Sequence, residues 1–73
     1  MTEYGVVLFF TNSSVMQAEK VLKKGGLNLK LIPTPRQFSN DCGISLRFNW
    51  CDCNRVATLL RATGVEIESI ERI

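Results

Sequence analysis

The sequence predicts an α+β fold, specifically a ferredoxin-like βαββαβ sandwich, and three observations carry this prediction. Strand and helix patterns follow one another in the order strand, helix, strand, strand, helix, strand. All six fit within 73 residues without an internal linker, so residues 1–73 are expected to form a single domain. Glycines end both helix patterns. With right-handed crossovers, this order gives an antiparallel sheet in the order 4-1-3-2, with both helices on one face.

The first strand is predicted at residues 4–10, where the continuous apolar run "YGVVLFF" indicates burial on both faces. The first helix follows, because Ser14 and Gln17 fit a capping box. The helix is expected to end at Gly25 and Gly26. Its apolar stripe consists of Val15, Ala18, Val21 and Leu22.

The second and third strands are predicted from alternation of apolar and polar residues. Residues 27–32 alternate and indicate a strand with one buried face. Residues 43–50 alternate strictly, which predicts that one side faces the core and the other does not. The core side carries Ile44, Leu46, Phe48 and Trp50, and the other side carries Ser45, Arg47 and Asn49.

The second helix is expected to begin at Asp52 or Asn54, either of which can cap it, and to end at Gly64. Its stripe is Val56, Leu59, Leu60 and Thr63. Residues 65–70 predict a last strand, and nearby glutamates suit an edge that must resist pairing with another chain.

Composition excludes several classes of function. The net charge of +2 is too weak to indicate nucleic acid, and Phe48 and Trp50 share the core-facing side of their strand rather than an RNA-stacking face. No apolar run is long enough to cross a membrane, and the N-terminus does not resemble a secretory signal. Three cysteines without such a signal indicate a reducing compartment, so we expect a cytoplasmic protein.

Residues 33–42 form a long segment without periodicity, and segments of this kind in small domains are often functional. The predicted topology places its tip, Cys42, beside the start of the first helix at Asn12, Ser13 and Ser14. A helix N-terminus stabilises a thiolate and lowers the pKa of a thiol, which predicts a reactive Cys42. The alternative interpretation is that Cys42 is a small buried hydrophobic residue.

Three kinds of neighbour are expected to support Cys42. Arg36 and Arg47 can add positive charge, although Arg47 can equally point to solvent. Gly43 leaves room beside the sulfur, because it has no Cβ. Pro33 and Pro35 stiffen the approach to the loop.

Two other classes of function stay open. The motif Cys51-Asp52-Cys53 suggests a thiolate metal-binding module, but structural zinc needs four ligands, so no metal site is predicted. A non-catalytic module that binds a small ligand or another protein fits the same fold. The chain has no histidine, which excludes a self-contained cysteine–histidine catalytic dyad.

The apolar first strand also predicts an interface. In a one-sided sandwich, alternate residues face the uncovered side of the sheet, either Val6, Leu8 and Phe10 or Val7 and Phe9. An exposed patch of this kind predicts a homodimer through the open sheet face, or docking of a partner enzyme there.

Four segments of the chain carry a resemblance to a known family. They are the first strand with Asn12, "AEKVLKKGG" at 18–26, "IPTPR" at 32–36 and "CGISLRF" at 42–48. Over residues 4–72 the chain resembles the selenium/sulfur carrier protein-like family of small bacterial domains. The most specific matches are Pro33, Pro35, Arg36, Ser39, Cys42, Gly43 and Arg47.

The resemblance implies that Cys42 carries sulfur or selenium as a persulfide or selenosulfide. A donor such as a cysteine desulfurase would load it, and an acceptor protein would receive the atom. The protein would then be a carrier rather than a true enzyme, and it would need no cofactor. Thiolate exchange of this kind depends on thiol pKa and on access to the sulfur.

Overall fold

The computed structural model describes residues 3–38 and 43–73. Ser39 and Cys42 therefore lie outside the described residues. The strands are β1 (Tyr4–Leu8), β2 (Leu29–Pro33), β3 (Ile44–Asn49) and β4 (Ser69–Arg72). The helices are α1 (Asn12–Lys24) and α2 (Cys53–Thr63), with short 3-10 turns at Arg36–Phe38 and Trp50–Asp52.

The four strands form one antiparallel sheet in the order β2-β3-β1-β4. This order is the predicted 4-1-3-2 arrangement, read from the other edge. β1 pairs with both β3 and β4, so Val7 lies opposite Leu46 on one side and Ile70 on the other. β2 and β4 are the edges, which confirms the expected edge position of the last strand.

One hydrophobic core joins both helices to the same face of the sheet. From the sheet it contains Val7 and Phe9 of the β1 segment and Leu46 and Phe48 of β3. From the helices it contains Val15, Ala18, Leu22, Val56 and Leu60. The predicted stripes of the two helices therefore meet the face of β3 that carries Leu46 and Phe48, except at Thr63, which is exposed because its hydroxyl donates to the carbonyl of Leu59 in its own helix.

The start of α1 differs from the predicted capping box. The N-cap is Thr11, whose Oγ1 accepts a hydrogen bond from the backbone N–H of Ser14 at 3.2 Å. Ser14 is thus the third residue of the helix rather than its cap, because the helix begins directly after Thr11. The predicted end is confirmed: Gly26 has φ +82°, and the N–H of Leu27 donates to the carbonyl of Leu22.

The second helix and the last strand also differ in detail. Asp52 occupies the N-cap position of α2, but its side chain makes no capping hydrogen bond. Gly64 ends the helix with φ 72°, as predicted. β4 begins at Ser69 rather than at residue 65, because Val65 and Ile67 pack against the core as part of the connection.

Two of the predicted core positions are at the periphery. Leu31 is 40 % exposed, so the expected buried face of β2 is wrong at this residue. Ile44, the first residue of β3, is 39 % exposed. Both belong to the β2–β3 side of the sheet, whose outer part extends beyond the core formed by the helices.

The open face of the sheet does not expose the predicted apolar patch. Val6 is fully buried and Leu8 is 4 % exposed, so the predicted exposure of an apolar patch on β1 is wrong at these two residues. Val6 lies between Arg47 of β3 and Glu71 of β4, and long side chains of this kind cover apolar surface with their stems. Phe10, just beyond β1, is 54 % exposed. Dimerisation itself stays a prediction.

Candidate functional site

Two hydrogen bonds close the neck of the loop between β2 and β3. The N–H of Thr34 donates to the carbonyl of Gly43 at 3.0 Å. The hydroxyl oxygens of Thr34 and Ser45 are 2.8 Å apart, and Ser45 is fully buried. These bonds continue the pairing of Pro33 with Ile44. The segment from 35 to 42 is therefore bounded by two anchored residues.

The neck and the start of α1 are at the same end of the sheet. Val7 lies opposite Leu46, so continuing the register by one residue places Leu8, the last residue of β1, opposite Ser45. α1 begins four residues after Leu8. Its first residues, Asn12 and Ser13, are exposed. The described residues thus have the predicted common end.

Ser14 has a structural role at this end. It is 8 % exposed, and its Oγ accepts a hydrogen bond from the hydroxyl of Thr11 at 3.1 Å. The first helical turn of α1 carries a partial positive charge, which favours an anionic group nearby.

The described part of the loop is compact. Pro33 is the last residue of β2, where an edge strand tolerates a residue without an N–H. The carbonyl of Pro35 accepts a hydrogen bond from the N–H of Phe38 at 2.9 Å, which forms the 3-10 turn. Arg36 opens this turn and is exposed. The two prolines therefore flank the neck residue Thr34.

Gly43 is exposed, and neither packing nor backbone conformation requires a glycine at this position. A Cβ added to Gly43 would meet no heavy atom of the described residues within 4 Å, its chain neighbours aside. The residues with positive φ among those described are Gly26 and Gly64, not Gly43. Among the described residues, the space beside Gly43 is therefore open.

Arg47 does not lie at the neck. Its guanidinium carbon is 4.3 Å from the centre of the Tyr4 ring. Tyr4 pairs with Asn49, toward the end of the sheet opposite Gly43. Arg47 therefore leans away from the loop, and the structure does not bring it together with Arg36.

Cys51 and Cys53 are free thiols at that opposite end of β3. Cys51 is exposed in the 3-10 turn, and Cys53 is the first residue of α2 and half-buried against the core. Within residues 3–38 and 43–73, no three cysteine, aspartate or glutamate side chains come together as metal ligands. The two thiols are separated from the loop neck by the length of β3.

Thr34 and Ser45 are the residues that sequence reasoning missed. Alternation places Ser45 on the side of its strand away from the core, where full burial is not expected. Thr34 lies between two prolines and has no periodic signal. The only available signal is the hairpin register, which brings two hydroxyl residues together once Pro33 is paired with Ile44.

Comparison with known families identifies the chain. Residues 4–72 match the family model described as "Putative Se/S carrier protein-like". The match covers nearly the whole chain, so the protein belongs to this family of selenium/sulfur carrier-like domains. Neither a curated protein nor a solved structure matches the chain significantly. In the described residues, neither helix has the length and apolar character needed to cross a bilayer.

Proposed function

We propose that the protein is a sulfur or selenium carrier in which Cys42 holds a persulfide or selenosulfide. The observation that carries the proposal is membership of the selenium/sulfur carrier-like family over residues 4–72. Cys42 is the assigned carrier because the sequence places it between the two anchored ends of the β2–β3 loop.

Loading would proceed by thiolate exchange. The Cys42 thiolate attacks the terminal sulfur of a persulfide on the donor, so a new sulfur–sulfur bond forms at Cys42 while the donor's own sulfur–sulfur bond breaks. The donor cysteine leaves as a thiolate, and the terminal proton stays with the transferred sulfur. No external oxidant or reductant is needed. Selenium transfers in the same way when it is the terminal atom.

Unloading repeats the exchange toward the acceptor. A thiolate of the acceptor protein attacks the terminal atom, and the Cys42 thiolate leaves. Neither step uses a general base from this chain, which is consistent with a sequence that contains no histidine. A carrier of this kind needs an accessible sulfur rather than a deep substrate pocket.

The described surroundings support this role in two respects. The neck formed by Thr34, Gly43 and Ser45 is at the same end of the sheet as the exposed first turn of α1, whose N–H groups favour negative charge. The open space at Gly43 favours access by a partner protein. Arg36 adds an exposed positive charge to the loop.

The wider setting follows from the same proposal. The strand order suits a ferredoxin-like sandwich, which we infer as the fold type. The donor is a persulfide-forming enzyme such as a cysteine desulfurase, and a cytoplasmic location keeps the thiols reduced. We assign no second function to the Cys51-Asp52-Cys53 motif.

The test is intact-mass spectrometry of the purified protein after incubation with a cysteine desulfurase and cysteine, or with selenocysteine. We expect an added mass of about 32 Da for sulfur or about 80 Da for selenium, removed by a thiol reductant, because exchange leaves the atom on the cysteine sulfur. Peptide mapping should place it on Cys42.

Cysteine variants make this test specific. Cys42→Ser should abolish loading, whereas the matched control Cys51→Ser with Cys53→Ser should load like the parent. Equal loading of Cys42→Ser would show that the carrier residue is wrong. No added mass with any donor on a folded protein would contradict the carrier function itself.

A further inference from the structure

A cavity of about 340 Å³ lies on the open face of the sheet, away from the helices. Seven residues line it: Tyr4, Asn28, Leu29, Lys30, Arg47, Phe48 and Asn49. By the alternation of the strands, Tyr4, Lys30, Arg47 and Asn49 point to the open side of the sheet. Phe48 belongs to the core on the other side, and Leu29 packs against that core. The volume is in the range of sites for small molecules.

The charge in this cavity is unbalanced. Lys30 of β2 lies directly opposite Arg47 of β3, and side chains in such pairs are about 5 Å apart at their Cβ atoms. The described residues that line the cavity include no aspartate or glutamate. In the described part of the chain, no ion pair joins either cation to a carboxylate. Like charges placed opposite each other destabilise a sheet unless an anion compensates them.

The acidic residue of β4 on the same face does not line this cavity. Glu71 lies on β4, opposite Val6, while Arg47 lies opposite Val6 on the other side. A whole strand therefore separates the carboxylate from the guanidinium. Glu3, at the start of the chain's described part, pairs with Arg72 instead.

Arg47 is held in place before any ligand arrives. Its guanidinium stacks on the Tyr4 ring at 4.3 Å, and the residue is half-buried. An arginine on an aromatic face loses little further freedom on binding, and its planar group presents several N–H donors. Lys30 is exposed and supplies a mobile second charge.

We propose that this cavity binds a phosphate group, with Lys30 and Arg47 as its cationic ligands and the amides of Asn28 and Asn49 as further donors. The charge selects the ligand class. A phosphate carries close to two negative charges near pH 7 and can balance both cations, whereas a single carboxylate balances one. Arginine also matches phosphate oxygens in a two-pronged geometry.

The shared chemistry fits either free inorganic phosphate or the phosphate monoester of a small metabolite. The site is independent of the proposed carrier function, because it does not include the β2–β3 loop or any cysteine. Loss of phosphate binding and loss of sulfur loading are therefore separate experimental results.

The experiment is a titration of the ¹⁵N-labelled protein, followed by NMR at constant ionic strength. Inorganic phosphate, ribose 5-phosphate and acetate are the three probes. We expect saturable shifts of the amides of Tyr4, Lys30, Arg47 and Asn49 with phosphate and little response to acetate. Tighter binding of ribose 5-phosphate than of phosphate identifies a phosphorylated metabolite as the ligand, and the reverse order identifies the free ion; both support the site.

Two matched variants complete the test. Lys30→Gln should weaken phosphate binding roughly tenfold, as expected for one lost charge-assisted contact. Lys20→Gln removes the same charge from an exposed position on α1 and should leave the affinity unchanged. Linear shifts without saturation, equal loss in both variants, or equal affinity for acetate would each overturn the proposal.

Discussion

The hydroxyl oxygens of Thr34 and Ser45 lie 2.8 Å apart, although the two residues are eleven positions apart in the chain. Ser45 is fully buried, so water cannot readily replace this bond. Together with the bond from Thr34 to Gly43, it fixes both ends of the loop whose sequence contains Cys42.

The first prediction concerns this bond. Thr34→Val and Ser45→Ala should each lower the free energy of unfolding by about 1 kcal/mol, the typical net value of a hydrogen bond. The double variant should lose less than the sum, because both substitutions remove the same bond. Urea unfolding measures all three. Thr34→Ser keeps the hydroxyl and is the control; strictly additive losses would contradict a direct coupling.

The second prediction separates folding from function at Gly43. Gly43→Ala should keep the unfolding temperature, because a Cβ there meets no heavy atom of the described residues within 4 Å and φ is not positive. If open space at this position serves access to the Cys42 sulfur, the rate of sulfur loading should fall. Thermal unfolding and timed mass spectrometry measure the two effects.

Gly64→Ala is the matched glycine control. Its φ of 72° is costly for a residue with a Cβ, so we expect a loss of about 1 kcal/mol of stability. Loading of the folded fraction should stay at the parent rate. If Gly43→Ala loads sulfur at the parent rate, open space at this position does not serve access to the Cys42 sulfur.

The third prediction distinguishes the observed helix cap from the one expected from sequence. Thr11→Ala should destabilise the protein by about 1 kcal/mol, because the N–H of Ser14 loses its side-chain acceptor. Thr11→Asp supplies another acceptor and should recover most of the loss. Ser13→Ala, at an exposed position in the same turn, is the neutral control. Denaturant unfolding of these variants provides the check.

The fourth prediction concerns the three thiols. β3 separates Gly43 from Cys51, and its six residues span about 20 Å, whereas a disulfide needs Cα atoms within about 7 Å. We therefore expect no bridge from Cys42 to Cys51 or Cys53 in the folded monomer. Cys42 should also react fastest with iodoacetamide near pH 7. Mass mapping of briefly alkylated, non-reduced protein tests both; a Cys42–Cys53 bridge would contradict the topology.

The sequence predicted the sheet order and the helix stripes because both depend on strong periodic burial. Alternation at Leu46 and Phe48 and the stripe through Val56 and Leu60 determine which faces meet. The glycine ends of both helices were equally predictable, because positive φ at Gly26 and Gly64 favours that residue.

The predictions that were wrong have a common physical cause. They depend on contacts with neighbouring elements, which the pattern of apolar and polar residues along the chain does not specify. Alternation predicts that Leu31 faces the core, but it does not show that the helices leave this edge strand uncovered. It places Val6 in one of two possible sets of open-face residues, but it does not show that residues from two adjacent strands flank Val6. Ser14 and Gln17 fit a capping box, yet Thr11 takes the cap because the turn begins earlier.

For the candidate site, the sequence predicted that the β2–β3 loop and the start of α1 lie at the same end of the sheet. It did not predict the hydrogen bonds of the neck or the position of Arg47. The common end follows from strand direction alone. The direction of a long side chain depends on what it can stack on, and Tyr4 comes from the far end of the chain. Cys42 itself lies outside the described residues, so its role remains a proposal.

The pairing of β1 with β4 has a practical consequence for engineering. The N–H of Ile73 donates to the carbonyl of Tyr4 at 2.9 Å, so the two ends of the described chain are neighbours. They lie at the end of β1 opposite the loop neck. A short linker between them would give a circular permutant that can be opened elsewhere, for example at Gly26. Affinity tags fused at either end would likewise sit clear of the loop.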